Sequence, residues 1–228
     1  MQKSIEFLSE NLTLEGVISI PESKDNIPCV ILCHPHPLYG GDMYNNIVID
    51  IAQNLYQLGI GSLLFNFRGV GNSEGTFDNG KGEVTDIISA YKYIATLPSI
   101  NQAKIGIAGY SFGASTTFNL FLQIQTNDID INIESFAFIA CPSNNLQSLL
   151  LSNTNSNINF ADQILSIKKL FVYGGLDELI EQDLYNTMLR DFCKPSEIIK
   201  IDHTDHFFSN EIPQLSNKIG DFFNSTLK

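Results

Sequence analysis

Gly109-Tyr110-Ser111-Phe112-Gly113 sets a serine between two glycines in the pattern Gly-x-Ser-x-Gly. The apolar run Ala103 to Ala108 precedes it, and Ala114 to Leu122 can form a helix after it. At a sharp strand-to-helix turn the serine sits in a strained backbone conformation, and the glycines leave room for the chain to reverse. The helix start also aims its positive dipole end at any oxyanion that forms there. The chemistry this implies is nucleophilic attack on a carbonyl. Three fixed positions recur by chance, so the weight comes from the strand-to-helix context, which favours a catalytic serine over an ordinary Gly/Ser turn.

A serine hydroxyl needs an imidazole to take its proton and a carboxylate to hold that imidazole in the right tautomer. Where such an elbow crowns a parallel sheet, the chain order is serine, acid, histidine. Of the four histidines, His34 and His36 precede Ser111, which leaves His203 and His206. His206 lies in Asp205-His206-Phe207-Phe208, after an expected last strand at Glu197 to Ile201 and before a final helix with Ser209 as its cap. Two buried phenylalanines would hold that loop, so His206 is preferred and His203 reads as a solvated loop residue. For the acid, Asp177 follows the apolar run Lys169 to Tyr173 through Gly174-Gly175-Leu176. Glu178 and Asp183 are the alternatives, though both suit the start of the next helix.

The segment Cys33-His34-Pro35-His36-Pro37-Leu38-Tyr39-Gly40-Gly41-Asp42-Met43 follows another apolar run. A tetrahedral oxyanion needs two donors: the amide of Phe112, next after the nucleophile, and one from this loop. Pro35 and Pro37 have no N–H to give. His36 is the first choice and Leu38 the second. His34-x-His36 also resembles half a metal site, but beyond Asp42 a third ligand is lacking, so the expectation is no metal, with His34 buried and hydrogen-bonded beneath the site.

Those residues must be carried by a scaffold. Apolar runs without alternation at Cys29 to Cys33, Ile60 to Phe67, Ala103 to Ala108, Phe136 to Cys141 and Lys169 to Tyr173 read as strands buried on both faces. Between them lie segments of helical spacing, Ile47 to Leu58 and Val84 to Ile94. Right-handed crossovers then give an α/β fold: a mostly parallel sheet with helices on both faces and reactive groups beyond the strands' carboxyl ends. Residues 4 to 20 alternate around Asn11 and predict an antiparallel hairpin at a sheet edge. The Asn- and Ser-rich stretch 142–167 reads as a small excursion over the sheet, within one domain spanning 1–228.

Composition narrows the function further. A formal charge of −12, with 13 lysines and arginines against 25 acids, argues against nucleic acid as partner. Glu6 and Glu10 interrupt any apolar leader in the first residues, and no run approaches a membrane span, so a soluble, cytoplasmic protein without membrane contact is expected. Cys29, Cys33, Cys141 and Cys193 read as thiols of a reducing compartment.

Taken together, HPHPLYGG (34–41), NFRGVGNSEG (66–75), GYSFG (109–113) and DHFF (205–208) resemble the compact α/β-hydrolases that carry these four spaced motifs. The resemblance implies the α/β-hydrolase fold, a triad of Ser111, Asp177 and His206, and a small-molecule ester or related acyl substrate. It also implies that Arg68, Gly69 and Gly71 belong to a structural loop; for Arg68 an ion pair with an acid such as Glu83 or Asp86 is expected ahead of substrate binding. The acid strand ends Tyr-Gly-Gly-Leu-Asp where relatives often show His-Gly-x-x-Asp, so Asp177 is assigned by spacing. No cofactor is needed for such chemistry. The chain is too short for a large cap, which predicts an open site rimmed by Tyr39, Met43, Tyr44, Tyr110, Phe207 and residues 142–167. A thioesterase, amidase or acyltransferase would use the same groups, and a silent binding protein would have no need of them. The segment Pro213 to Leu227 could pair two subunits as a homodimer or cover the sheet; covering is the simpler reading.

Overall fold

The computed structural model describes residues 2–22, 25–126, 129, 131–154, 167–192 and 196–228. Cys193 and residues 155–166 of the expected excursion lie outside the described residues.

The predicted hairpin is β1 (Gln2–Ser9) paired antiparallel with β2 (Leu12–Ser19), the chain turning at Glu10 and Asn11. In β1 only Ile5, Phe7 and Ser9 are buried, as an edge strand with one wet face requires. The apolar runs become β3 (Ile27–Cys33), β4 (Gly61–Phe65), β5 (Ile100–Tyr110), β6 (Ser135–Ile139) and β7 (Lys168–Gly174), and β8 (Ser196–Ile201) closes the far edge. Every residue of β3, β4 and β6 is buried, the reason their sequences do not alternate. The eight strands form one sheet in the order β1-β2-β4-β3-β5-β6-β7-β8. The β2–β4 pair is antiparallel; β4, β3, β5, β6, β7 and β8 run parallel.

Crossover helices cover both faces. On one lie α1 (Asn46–Gln57) and the last helix, α6 (Ile212–Leu227), over Val30, Leu32, Leu64, Ala137 and Val172. On the other lie α2 (Gly82–Ala95), α3 (Phe112–Thr126), α4 (Ser143–Thr154) and α5 (Gln182–Phe192). That second face is packed by phenylalanines: Phe118, Phe121, Phe136, Phe138 and Phe171 are fully buried and meet edge-to-face or tilted, except Phe136 and Phe138, which stack; the closest pair, Phe138 and Phe171, stands at 4.6 Å between centroids. Each such ring removed from water contributes about 2–3 kcal/mol.

Local signals explain the helix ends in part. Asn45 caps α1 by accepting the Ile47 amide at 3.0 Å, and Gly59 takes a left-handed φ of 71° just beyond it. The expected Ser209 cap of α6 is a correction: Glu211 holds the N-cap position without a side-chain bond, and the Ser209 hydroxyl donates to Asp205 instead. Helix α6 lies on the sheet, burying Leu215, Ile219, Phe223 and Leu227 completely. Among the described residues no helix is long and apolar enough to cross a membrane.

One topological detail positions the site. From β3 the chain moves to β4 on one side, then returns to place β5 on the other. The crevice at the carboxyl ends of β3 and β5, where the winding reverses, is where such sheets hold ligands. The loop 34–45 leaves β3 there and Ser111 leaves β5.

Candidate active site

Ser111 follows the last residue of β5 and precedes the first of α3, at φ 56°, a left-handed conformation that costs a non-glycine residue energy. The surrounding backbone enforces it: the Ser111 amide donates to the Ile139 carbonyl of β6 at 2.8 Å, and its carbonyl accepts the Ser115 amide at 3.1 Å. A Cβ on Gly109 would lie 2.2 Å from the Gly113 carbonyl oxygen, and one on Gly113 would lie 2.3 Å from that of Cys33. The two glycines of the motif are therefore a packing requirement of the turn, and the second brings the start of α3 against the loop after β3.

The loop after β8 brings an imidazole to this hydroxyl. His206 Nε2 stands 2.9 Å from Ser111 Oγ, and His206 Nδ1 stands 2.8 Å from Asp177 Oδ2. Asp177, buried on the turn after β7, accepts the Leu179 amide on Oδ1 at 2.9 Å, which aims Oδ2 at the histidine. Backbone bonds tie the two turns together, from the Gly175 amide to the Ile201 carbonyl and from the Leu176 amide to the Thr204 carbonyl. Asp205 braces the histidine loop, accepting the amides of Phe207 and Ser209 and the Ser209 hydroxyl. Those bonds, led by the Ser209 amide, hold its carboxyl below the ordinary range. Of the alternatives, Glu178 and Asp183 are exposed, Asp183 in the first turn of α5, and His203 is exposed at φ 62°.

The loop after β3 divides its histidines. His34 is fully buried: its Nδ1–H donates to the Pro35 carbonyl at 2.7 Å and its Nε2 accepts the Phe67 amide at 3.1 Å. Both ring nitrogens are thus engaged, which leaves no lone pair for an ion. The His36 ring packs against Tyr39, Phe77 and Phe112 with centroids near 5 Å. Its Nδ1 accepts the Leu38 amide, so Leu38, the second choice for an oxyanion donor, is already committed. Among the described residues neither the Phe112 amide nor the His36 amide has a protein acceptor. Their residues stand side by side, with Phe112 opening α3, where first-turn amides lack partners within the helix.

A cleft of about 320 Å³ opens over Ser111 and His206, lined by Tyr39, Tyr110, Phe112, Pro142, Asn145, Leu179 and Phe207 among others. Three expectations need correction. Met43 is buried in the core beneath α1, its amide donating to Asn66 Oδ1, so it is not on the rim. Tyr44 lines a different depression, beside β1 and β2. Phe207 is exposed and touches the cleft, leaving Phe208 as the buried anchor. Tyr110 reaches the cleft, but its hydroxyl donates to the His206 carbonyl at 3.0 Å. Burial, with Asp177 and Asp205 nearby, pushes its phenol above the ordinary range. Pro142 and Asn145 lie within the expected 142–167 rim, at the end of β6; sequence reasoning missed the Tyr110 brace and Leu179, which reaches the site only through the end of β7.

The loop after β4 serves structure. Arg68 clasps Asp86 at 2.8 Å through one terminal nitrogen and at 3.1 Å through Nε, and also touches Glu10; Glu83 instead accepts the amides of Asp78 and Gly80. Cys29, Cys33 and Cys141 are buried free thiols, each pushed up by burial to about 12 and so inert as nucleophiles.

His34 makes stability depend on pH. Burial lowers it from 6.5 to about 4, so between those values an unfolded chain binds the proton and the folded chain does not. Falling pH then favours unfolding: this contribution is intact above the unfolded value and about 3 kcal/mol of it is lost as pH drops to the folded one. His36, lowered by burial in the same direction, adds to the loss. Thermal unfolding midpoints should therefore decline steadily between about pH 6.5 and pH 4. A midpoint flat across that window would show that His34 is protonated as readily in the fold as out of it.

The mixed, mostly parallel sheet with its strand-to-helix serine defines the class: an α/β-hydrolase. Over 96% of both chains it superposes on an α/β serine hydrolase homologue from Coxiella burnetii, at 27% identity and a TM-score of 0.76. The fold also matches an α/β serine hydrolase without lid from Xanthomonas campestris, at 23% identity and a TM-score of 0.78 over 99% of this chain and 95% of that one. A profile of the serine hydrolase (FSH1) family matches residues 60–218, and the chain belongs to that family of hydrolase enzymes. An uncharacterized protein of Rickettsia prowazekii is 32% identical over 215 residues, 88% of this chain and 80% of that one.

Proposed function

We propose that the protein is a serine esterase that cleaves small esters through an acyl-enzyme, with Ser111 as nucleophile, His206 as base and Asp177 as the acid that orients it. The observation that carries this reading is the unbroken hydrogen-bond chain from Ser111 Oγ through both nitrogens of His206 to Asp177, at 2.9 and 2.8 Å, at the foot of an open cleft. His206 Nε2 takes the hydroxyl proton as Ser111 Oγ bonds to the ester carbon, and the carbonyl electron pair moves onto oxygen. The amides of Phe112 and His36 then stabilise the oxyanion. As it collapses, the imidazolium gives its proton to the departing alcohol. Water, deprotonated by the same imidazole, attacks the acyl-enzyme; collapse of the second tetrahedral adduct expels Ser111, which recovers its proton.

Intact-mass labelling with a fluorophosphonate tests the reading. One adduct on the wild type and none on Ser111→Ala or His206→Ala is the expected result; an unlabelled, folded wild type would sink it.

A further inference from the structure

Resting on that catalytic reading, we infer that the cleft selects uncharged esters with an apolar or aromatic group, and discriminates against esters that bring an anion into it. Its walls are Tyr39, Phe112, Pro142, Leu179 and Phe207, its polar contributions include the neutral amides of Asn45 and Asn145, and among the described residues no lysine or arginine lines it. Tyr39, Leu179 and Phe207 stand 88%, 51% and 67% exposed at the mouth. An apolar substituent that covers them is favoured, because it removes their surface and its own from water.

An anion meets the opposite conditions. It would shed water with no cation to replace it, which is unfavourable in a walled site. The fixed groups around the cleft are carboxylates: Asp177 and Asp205 act on Tyr110, Glu83 on His36 and Asp42 on His34. The guanidinium in the neighbouring loop, Arg68, is held by Asp86 and Glu10. The net charge of −12 extends the same repulsion outward, where it slows the approach of anions. Thioesters of nucleotide-bearing carriers, which bring several phosphates, are disfavoured on the same grounds.

The test compares methyl 4-acetoxybenzoate with 4-acetoxybenzoate at neutral pH. Both present the same acetyl group on a para-substituted phenol and differ in whether the remote carboxyl is esterified. Release of the phenol is followed, and each kcat/KM is divided by that substrate's alkaline hydrolysis rate to remove intrinsic reactivity. The methyl ester should be favoured by about 100-fold at low salt, since like charges brought together cost on that order. Added salt should narrow the gap. Leu179→Lys, which places a cation at the exposed mouth, should raise the relative rate on the anion by about 10-fold. Equal normalised rates on the two esters, with Leu179→Lys shifting neither, would overturn this inference and leave the catalytic reading standing. No turnover of either ester together with no fluorophosphonate adduct would overturn both.

Discussion

Ser111→Ala should lower kcat/KM on a neutral aryl acetate by about a million-fold, with no change in the far-ultraviolet circular dichroism spectrum. The size follows from what is removed. Without Oγ there is no acyl-enzyme, and His206 is left as a base facing water that nothing holds in line with the carbonyl. A residual rate above the uncatalysed one should survive, because oxyanion donors and substrate binding act without the nucleophile. Alanine tolerates the site as well as serine does, since the φ of 56° is imposed by backbone bonds to Ile139 and Ser115. Among the described residues Oγ itself bonds only to His206, so its loss takes no structural network with it. A fall of less than about 100-fold in a folded variant would mean that Ser111 is not the nucleophile.

What could be read in the chain and what could not divide along a physical line. The elbow was legible because its causes are local: Gly109 and Gly113 are needed by atoms within a few residues or in the adjoining strand end. The parallel core was legible because strands buried on both faces, such as β3 and β6, must be apolar throughout. That Ser111, Asp177 and His206 approach one another was legible from their places after β5, β7 and β8, since a parallel sheet gathers those ends at one edge. Which side chains then face the cleft was not legible. Tyr39 and Met43 are four residues apart and equally apolar to a sequence reading, yet one is 88% exposed and the other 1%. The short helical turn at Pro37–Tyr39 and the bond from the Met43 amide to Asn66, contributed by the next strand's loop, separate them. Of the two phenylalanines expected to be buried only Phe208 is, because at φ 51° it turns into the core over Tyr110, while Phe207 keeps its expected place on the rim. The cap at Ser209 failed for a related reason: Asp205 competes for its hydroxyl to close the histidine loop.

Asp177→Asn should cost about four orders of magnitude in kcat while leaving the fold and KM nearly unchanged. The reason lies in the second oxygen. Asp177 Oδ1 accepts the Leu179 amide and Oδ2 faces His206 Nδ1. An asparagine amide must keep its oxygen toward Leu179, because turning its NH2 that way would set donor against donor inside a buried turn. The NH2 then faces His206, whose Nδ1 must accept, which moves the ring proton to Nε2. The nitrogen opposite Ser111 would carry a hydrogen and could no longer take one. Asp177→Ala removes this enforced orientation as well as the charge, so it should retain more activity than the isosteric asparagine despite the larger change in volume. Glu178→Gln and Asp183→Asn, on exposed carboxylates with no bond to the imidazole, should stay within about two-fold of wild type. If either of these were the damaging substitution and Asp177→Asn the harmless one, the partner of His206 during turnover would have to be reassigned, and the turn after β7 would need to move for chemistry to occur.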